Sequence, residues 1–181
     1  ILDLRGAFLK LANNANTKVM YNENGTDIEI IGGLIDGNRD NQTESVHVIE
    51  LNNISKSIIR GVTIKNSKFR AIYLGGDSGT ACQQNKVIFC HIDNCWDGIV
   101  VDGKENIIAF NRVFNNRGYG IYMRKNDEWN LILGNIVGGH APDASDSIGI
   151  GVAEYQSLHQ LIICNKCYDQ IRDGINISTY S

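Results

Sequence analysis

Three side chains follow recurring Gly-Ile marks at similar distances and could do chemistry together. Asp102 stands four residues after Gly98, Arg124 four after Gly120, and Glu154 five after Gly149. Glycoside hydrolysis needs two carboxyls roughly 5–9.5 Å apart, which Asp102 and Glu154 could supply. Lyase or epimerase chemistry needs a base for the proton next to a uronate carboxylate, and a cation for the anion that forms. Arg124, Lys104 or Tyr122 could serve there. The bland alternative is a surface ion pair between Asp102 and Arg124, worth under about 1 kcal/mol. The candidate catalytic residues are thus Asp102, Arg124 and Glu154. Candidate substrate contacts are the aromatic platforms Tyr73 and Tyr122, with Asp97, Lys104, His140 and Asn176.

These residues can meet only if the chain is a stack of similar coils, and the sequence repeats in that way. Segments with an apolar triplet, an Asn and a later Gly-Ile recur. One runs Ile107-Ile108-Ala109-Phe110-Asn111, then Gly120-Ile121; another runs Leu131-Ile132-Leu133-Gly134-Asn135, then Gly149-Ile150. A third runs Leu161-Ile162-Ile163-Cys164-Asn165, then Gly174-Ile175. Counting Ala71-Ile72 as the first mark, successive marks lie 27, 22, 29 and 25 residues apart. The apolar runs are short, β-branched and of period two, with no helical face. A unit of two or three such strands buries nothing alone, and stacking gives an all-β fold, a parallel β-helix of about six or seven coils.

Each bend between strands needs a residue that tolerates positive φ, which points to Asn and Gly. Asn111, Asn135 and Asn165 share one slot and should bond along a ladder of amides. His91 is read into the same slot of the preceding coil. Alternation along the strands predicts one outward row of Tyr73, Val100, Tyr122, Gly151 and Asn176. It predicts a second row of Asp102, Arg124, Ala153 and Ser178. Coils about 4.8 Å apart should bring Asp102 against Arg124.

The Asn spacing, the Gly-Ile marks and the apolar alternation from Ile28 onward resemble the pectate-lyase-like right-handed parallel β-helix superfamily. Ile30-Ile31-Gly32-Gly33-Leu34-Ile35-Asp36-Gly37-Asn38 resembles the turn that opens the coil stack in many members. The resemblance implies a right-handed solenoid. It implies a function among lyases, hydrolases, epimerases, tailspikes and non-enzymes. Asn94-Cys95-Trp96-Asp97-Gly98-Ile99 resembles the Asn-x-Asp-Gly motif of polygalacturonases, in which Asp97 would act on substrate. An extra residue separates Asn94 from Asp97, and Asp173-Gly174-Ile175 repeats the same signal, so Asp97 is equally readable as turn chemistry.

Composition narrows the rest. The chain has 181 residues, 17 Lys and Arg against 20 Asp and Glu, and a formal net charge of −3. That balance argues against a nucleic-acid partner. Hydrophobic residues make up 43 %, which excludes a disordered chain. No apolar run reaches the roughly 18 residues of a membrane span. The five cysteines, Cys82, Cys90, Cys95, Cys164 and Cys167, read as buried, inert thiols rather than a metal site. The segment 138–147 is an insertion, and His140, Asp143 and Asp146 could line a groove or bind calcium.

The expectation is a single β-helix domain over 1–181, cut from a longer chain, extracellular or at the cell surface. Its open coil ends could drive oligomer formation. Its partner is a polysaccharide, as a lyase, epimerase or hydrolase of an acidic sugar polymer. The alternative is a non-catalytic carbohydrate-binding or tailspike-type module.

Overall fold

The computed structural model describes residues 1–76, 82–125, 128–153 and 159–178. Its strands are all parallel and form three sheets of seven, eight and seven strands. Each coil contributes one strand to each sheet in turn, so the chain winds as a right-handed parallel β-helix. Cys82–Gln83 is an additional strand beside Asp97–Lys104.

Isoleucine builds the interior. Ile30, Ile59, Val87, Ile108 and Ile132 pair in register up the first sheet. Ile35, Ile64, Ile92, Val113 and Val137 do so in the second. Ile49, Ile72, Ile99, Ile121 and Ile150 do so in the third. All fifteen are at most 2 % exposed. A buried side chain of this size contributes about 1.5–3 kcal/mol, and β-branching holds its rotamer against the pleat. The Gly-Ile marks are therefore one column of this core.

The asparagine ladder is present and doubled. Asn111 donates Nδ2 to Asn135 Oδ1 at 3.0 Å, and Asn135 to Asn165 Oδ1 at 2.9 Å. A second ladder at the preceding corner joins Asn85 to Asn106 and Asn106 to Asn130, each at 3.1 Å. Two expectations need correction. The slot below Asn111 belongs to Cys90, whose N–H donates to Asn111 Oδ1 at 2.9 Å, while His91 pairs with Arg112 in the next strand. The left-handed residue is the one before each member of this slot: Phe89 at φ 55° before Cys90, and Phe110 at 57°, Gly134 at 63° and Cys164 at 54° before the ladder asparagines. The ladder side chain must point inward to reach the amide of the next coil. The preceding residue therefore turns the chain and points out. For that reason Phe89 and Phe110 are exposed, stacked rings.

Cysteine burial also divides differently from the expectation. Cys82, Cys90 and Cys95 are buried, but Cys164 sits at the outward bend and is exposed. Burial pushes the thiols of Cys82, Cys90 and Cys95 up to about 11, 12 and 12.

Candidate functional site

The third sheet carries the polar face. Register confirms the outward row: Tyr73 pairs with Val100, Val100 with Tyr122, Tyr122 with Gly151, and Gly151 with Asn176. That row is largely covered, however. Val100 is fully buried and Tyr73 is 7 % exposed. His47 stacks on Tyr73, with centroids 4.9 Å apart, and Tyr119 lies flat on Tyr122 at 4.0 Å. Gly151 permits that second stack, because a Cβ there would run into the Tyr119 ring.

Asp102 and Arg124 do meet. The register slips at Val101 and Asp102, so Asp102 pairs with Lys125 in the backbone while its carboxylate faces Arg124. Arg124 Nε donates to Asp102 Oδ1 at 2.9 Å, and Arg124 Nη2 donates to Oδ2. Tyr73 donates its hydroxyl to Asp102 Oδ2 at 2.8 Å, and Arg124 Nη2 in turn reaches the Tyr73 oxygen at 2.8 Å. Burial, with the Asp102 carboxylate beside it, holds the Tyr73 phenol protonated well above its usual range. The three side chains thus satisfy one another in a closed network. Glu154, expected beside them, lies outside the described residues.

A more open arrangement stands at the corner between the second and third sheets. A cleft of about 420 Å³ is lined by Arg39, Arg70, Arg117, Trp96, Asp97, Tyr119 and Tyr122, and walled by the 143–146 part of the inserted loop. Three coils supply the arginines. Arg39 opens the short 3-10 turn Arg39–Asn41, Arg70 begins the strand Arg70–Gly75, and Arg117 precedes the strand Tyr119–Lys125. Their side chains are 12, 12 and 10 % exposed. Arg39 Nη1 and Arg70 Nε are buried without a hydrogen-bond partner. Such donors are costly unless a ligand or water completes them.

Arg70 packs between the rings of Phe69 and Tyr73, 4.5 and 4.6 Å from their centroids. It stands 3.7 Å from Asp97 Oδ2, too far for a hydrogen bond. Asp97 accepts the Tyr119 N–H at 2.8 Å. Burial raises its carboxyl above the ordinary 3.8, more than the Tyr119 amide and Arg70 lower it.

Of the expected substrate contacts, Asp97 and Tyr122 line this cleft. Tyr73 lies behind Arg70. Lys104 is exposed at the far end of the strand Asp97–Lys104. His140 bonds the Asp169 carbonyl at 3.1 Å, and Asn176 bonds Asp173 at 2.7 Å. None of these three lines the cleft. Asp143 and Asp146 line it, but each answers an arginine: Asp143 pairs with Arg39 and Arg117, Asp146 with Arg172.

The arginine trio escaped the sequence reading, although a signal was present. Arg70, Asp97, Tyr119 and Ile148 each stand two residues before the isoleucine of a mark, and all four line the cleft.

Fold and face together define a right-handed parallel β-helix with a cleft of arginines, aspartates and aromatic rings beside its third sheet. Residues 9–181 match the family described as NosD, periplasmic copper-binding protein, and the chain belongs to that family. No curated protein matches the chain.

Copper would need soft or imidazole donors gathered within bonding distance of one point. Among the described residues no three His, Cys, Asp or Glu side chains form such a group. The buried cysteines are held as thiols, as given above, and His47 packs against aromatic rings. The described residues do not fit a copper centre.

Proposed function

We propose that this β-helix binds an acidic saccharide chain in the cleft of Arg39, Arg70 and Arg117, in a compartment beyond the cytoplasmic membrane. The observation that carries the reading is the convergence of Arg39, Arg70 and Arg117 on one cleft with aromatic walls. Guanidinium groups recognise carboxylates by paired hydrogen bonds, and flat aromatic faces take the apolar side of a sugar ring. Trp96 is 47 % exposed and offers such a face. The family's periplasmic description supports the compartment. No helix among the described residues is long and apolar enough to cross a membrane.

Calorimetric titration with trigalacturonate, against galactotriose as the neutral control, tests the reading. Binding of the acidic trimer alone is expected. Trp96→Ala should weaken it about tenfold, roughly 1.4 kcal/mol. Equal affinity for both trimers, or none for either, would sink it.

One observation favours turnover as well as binding. Asp97 is buried in the same cleft with its carboxyl raised, which suits a proton donor to a leaving oxygen. New reducing ends from polygalacturonate, lost in Asp97→Asn while trigalacturonate still binds, would mark a hydrolase. Ultraviolet absorbance from unsaturated ends would mark a lyase. Neither signal would leave a binding module.

A further inference from the structure

The cleft already contains a carboxylate, and it belongs to the chain. Arg117 Nε donates to Asp143 Oδ2 at 3.0 Å while its Nη2 stands 2.7 Å from Oδ1. This is the two-pronged grip that a planar carboxylate makes with a guanidinium. Arg39 Nη2 donates to the same Oδ2 at 3.3 Å. The two partners are unequally placed. The arginine side chains are 12 and 10 % exposed and fixed by the coils, whereas the Asp143 side chain is 59 % exposed.

Asp143 is also delivered differently from the other acids of this face. Asp97 and Asp102 stand on the strand Asp97–Lys104. Asp143 hangs from the segment between the strands Ile136–His140 and Ile148–Ala153, the insertion that lengthens this coil. Nearly buried guanidiniums need a counter-ion, since an unpaired buried charge is strongly unfavourable. The Asp143 carboxylate is more than half exposed on its loop, so it returns to water at little cost when another carboxylate takes the fork. The arginines therefore require some carboxylate, while Asp143 is weakly held.

We propose that Arg117 with Arg39 is a carboxylate subsite specific for a uronate, and that Asp143 fills it until the carboxylate of a uronic acid residue takes its place. The exchange conserves charge. One carboxylate enters the fork, and the other leaves for water with the loop that carries it. Asp146, paired with Arg172 at 3.2 Å, keeps the loop tethered when Asp143 swings out. The inference rests on the acidic-saccharide reading of the cleft and names the group that is recognised.

The test is Asp143→Asn, titrated with trigalacturonate and with its full methyl ester, alongside hydrogen exchange of 138–147. Removing the internal competitor should tighten trigalacturonate binding about five- to tenfold and leave the neutral ester unchanged. Equal or weaker binding of trigalacturonate by Asp143→Asn than by the wild type would overturn the inference.

A second arm needs no saccharide. Acetate should speed exchange of 138–147 in the wild type, beyond the effect of sodium chloride at the same ionic strength, and should have no such effect in Asp143→Asn. An acetate effect no larger than that of chloride overturns the subsite. An acetate effect without any trigalacturonate binding upholds the displacement of Asp143 by a carboxylate, and overturns both its assignment to a uronate and the saccharide reading.

Discussion

His47 packs against Phe69 and Tyr73, with ring centroids 5.0 and 4.9 Å away. Its Nδ1 is buried without a partner, and its Nε2 stands 3.6 Å from Glu50. Burial lowers its pKa from 6.5 to about 4; Arg70, Lys18 and Arg124 lower it too, against the opposing pull of Glu50. Between those two values the unfolded imidazole carries a proton that the folded one does not. Stability must therefore rise with pH from about 4 to 6.5 and level off above. In His47→Gln that rise should shrink, as read from urea midpoints across the same pH range. An unchanged slope would mean that His47 is protonated in the folded protein. The same residue shows how burial governs this face: an imidazole and a phenol are held uncharged beside arginines, and burial pushes the Asp97 carboxyl up from its ordinary value.

Along the elements, the corner ladder decides where the coils turn. Asn111 spends its whole amide on neighbours: Nδ2 donates to Val87 O at 2.9 Å and to Asn135 Oδ1, and Oδ1 accepts from Cys90 N–H. Asn111→Ala would strand a buried N–H and a buried carbonyl, each costing about 1–3 kcal/mol. Chemical denaturation should show a loss of about 3 kcal/mol, and a clearly smaller one for Asn165→Ala, where the site is only partly buried. Equal losses would remove the ladder's role.

This ladder was legible in the sequence because it repeats with the Gly-Ile column, and both obey the period of the coil. The left-handed bends were legible where Asn or Gly takes them, as at Asn66, Asn94 and Gly139, but not at Phe89, Phe110 and Cys164, whose side chains rarely adopt positive φ. The coil holds them there by fixing both flanking strands. The contact of Asp102 with Arg124 was legible from alternation and coil spacing, but the slip that pairs Asp102 with Lys125 was not. The cleft was not, because Arg39, Arg70 and Arg117 come from a turn, a strand start and a loop. Folding brings them together at a corner where strict alternation fails.

At the scale of the molecule, the strands of each coil pair only with those of neighbouring coils, and a few side chains such as Arg39 with Asp143 reach further, so stability is largely a sum of coil and interface contributions. The burial pattern grades accordingly. Ile64, Ile92, Ile108 and Ile132 in the middle coils are fully buried. On the outermost described coils Phe8 is 58 % exposed, and Leu161, Ile175 and Ile177 are 54, 48 and 61 % exposed. Within these 181 residues the outermost described coils pair with one neighbouring coil, so they gain about half the interface of a middle coil. Their backbone amides should open by local fraying, without unfolding of the rest. Hydrogen exchange at neutral pH should therefore protect 86–137 most strongly, with amides of 1–24 and 161–178 exchanging faster by orders of magnitude. The cleft sits on the well-protected side of that gradient, since Arg70, Asp97 and Arg117 belong to coils packed on both faces. Only its loop wall should exchange readily. Uniform protection from end to end would show that the coils unfold as a single cooperative unit. The arginines of the cleft would then owe their placement to the whole stack rather than to their adjacent coils.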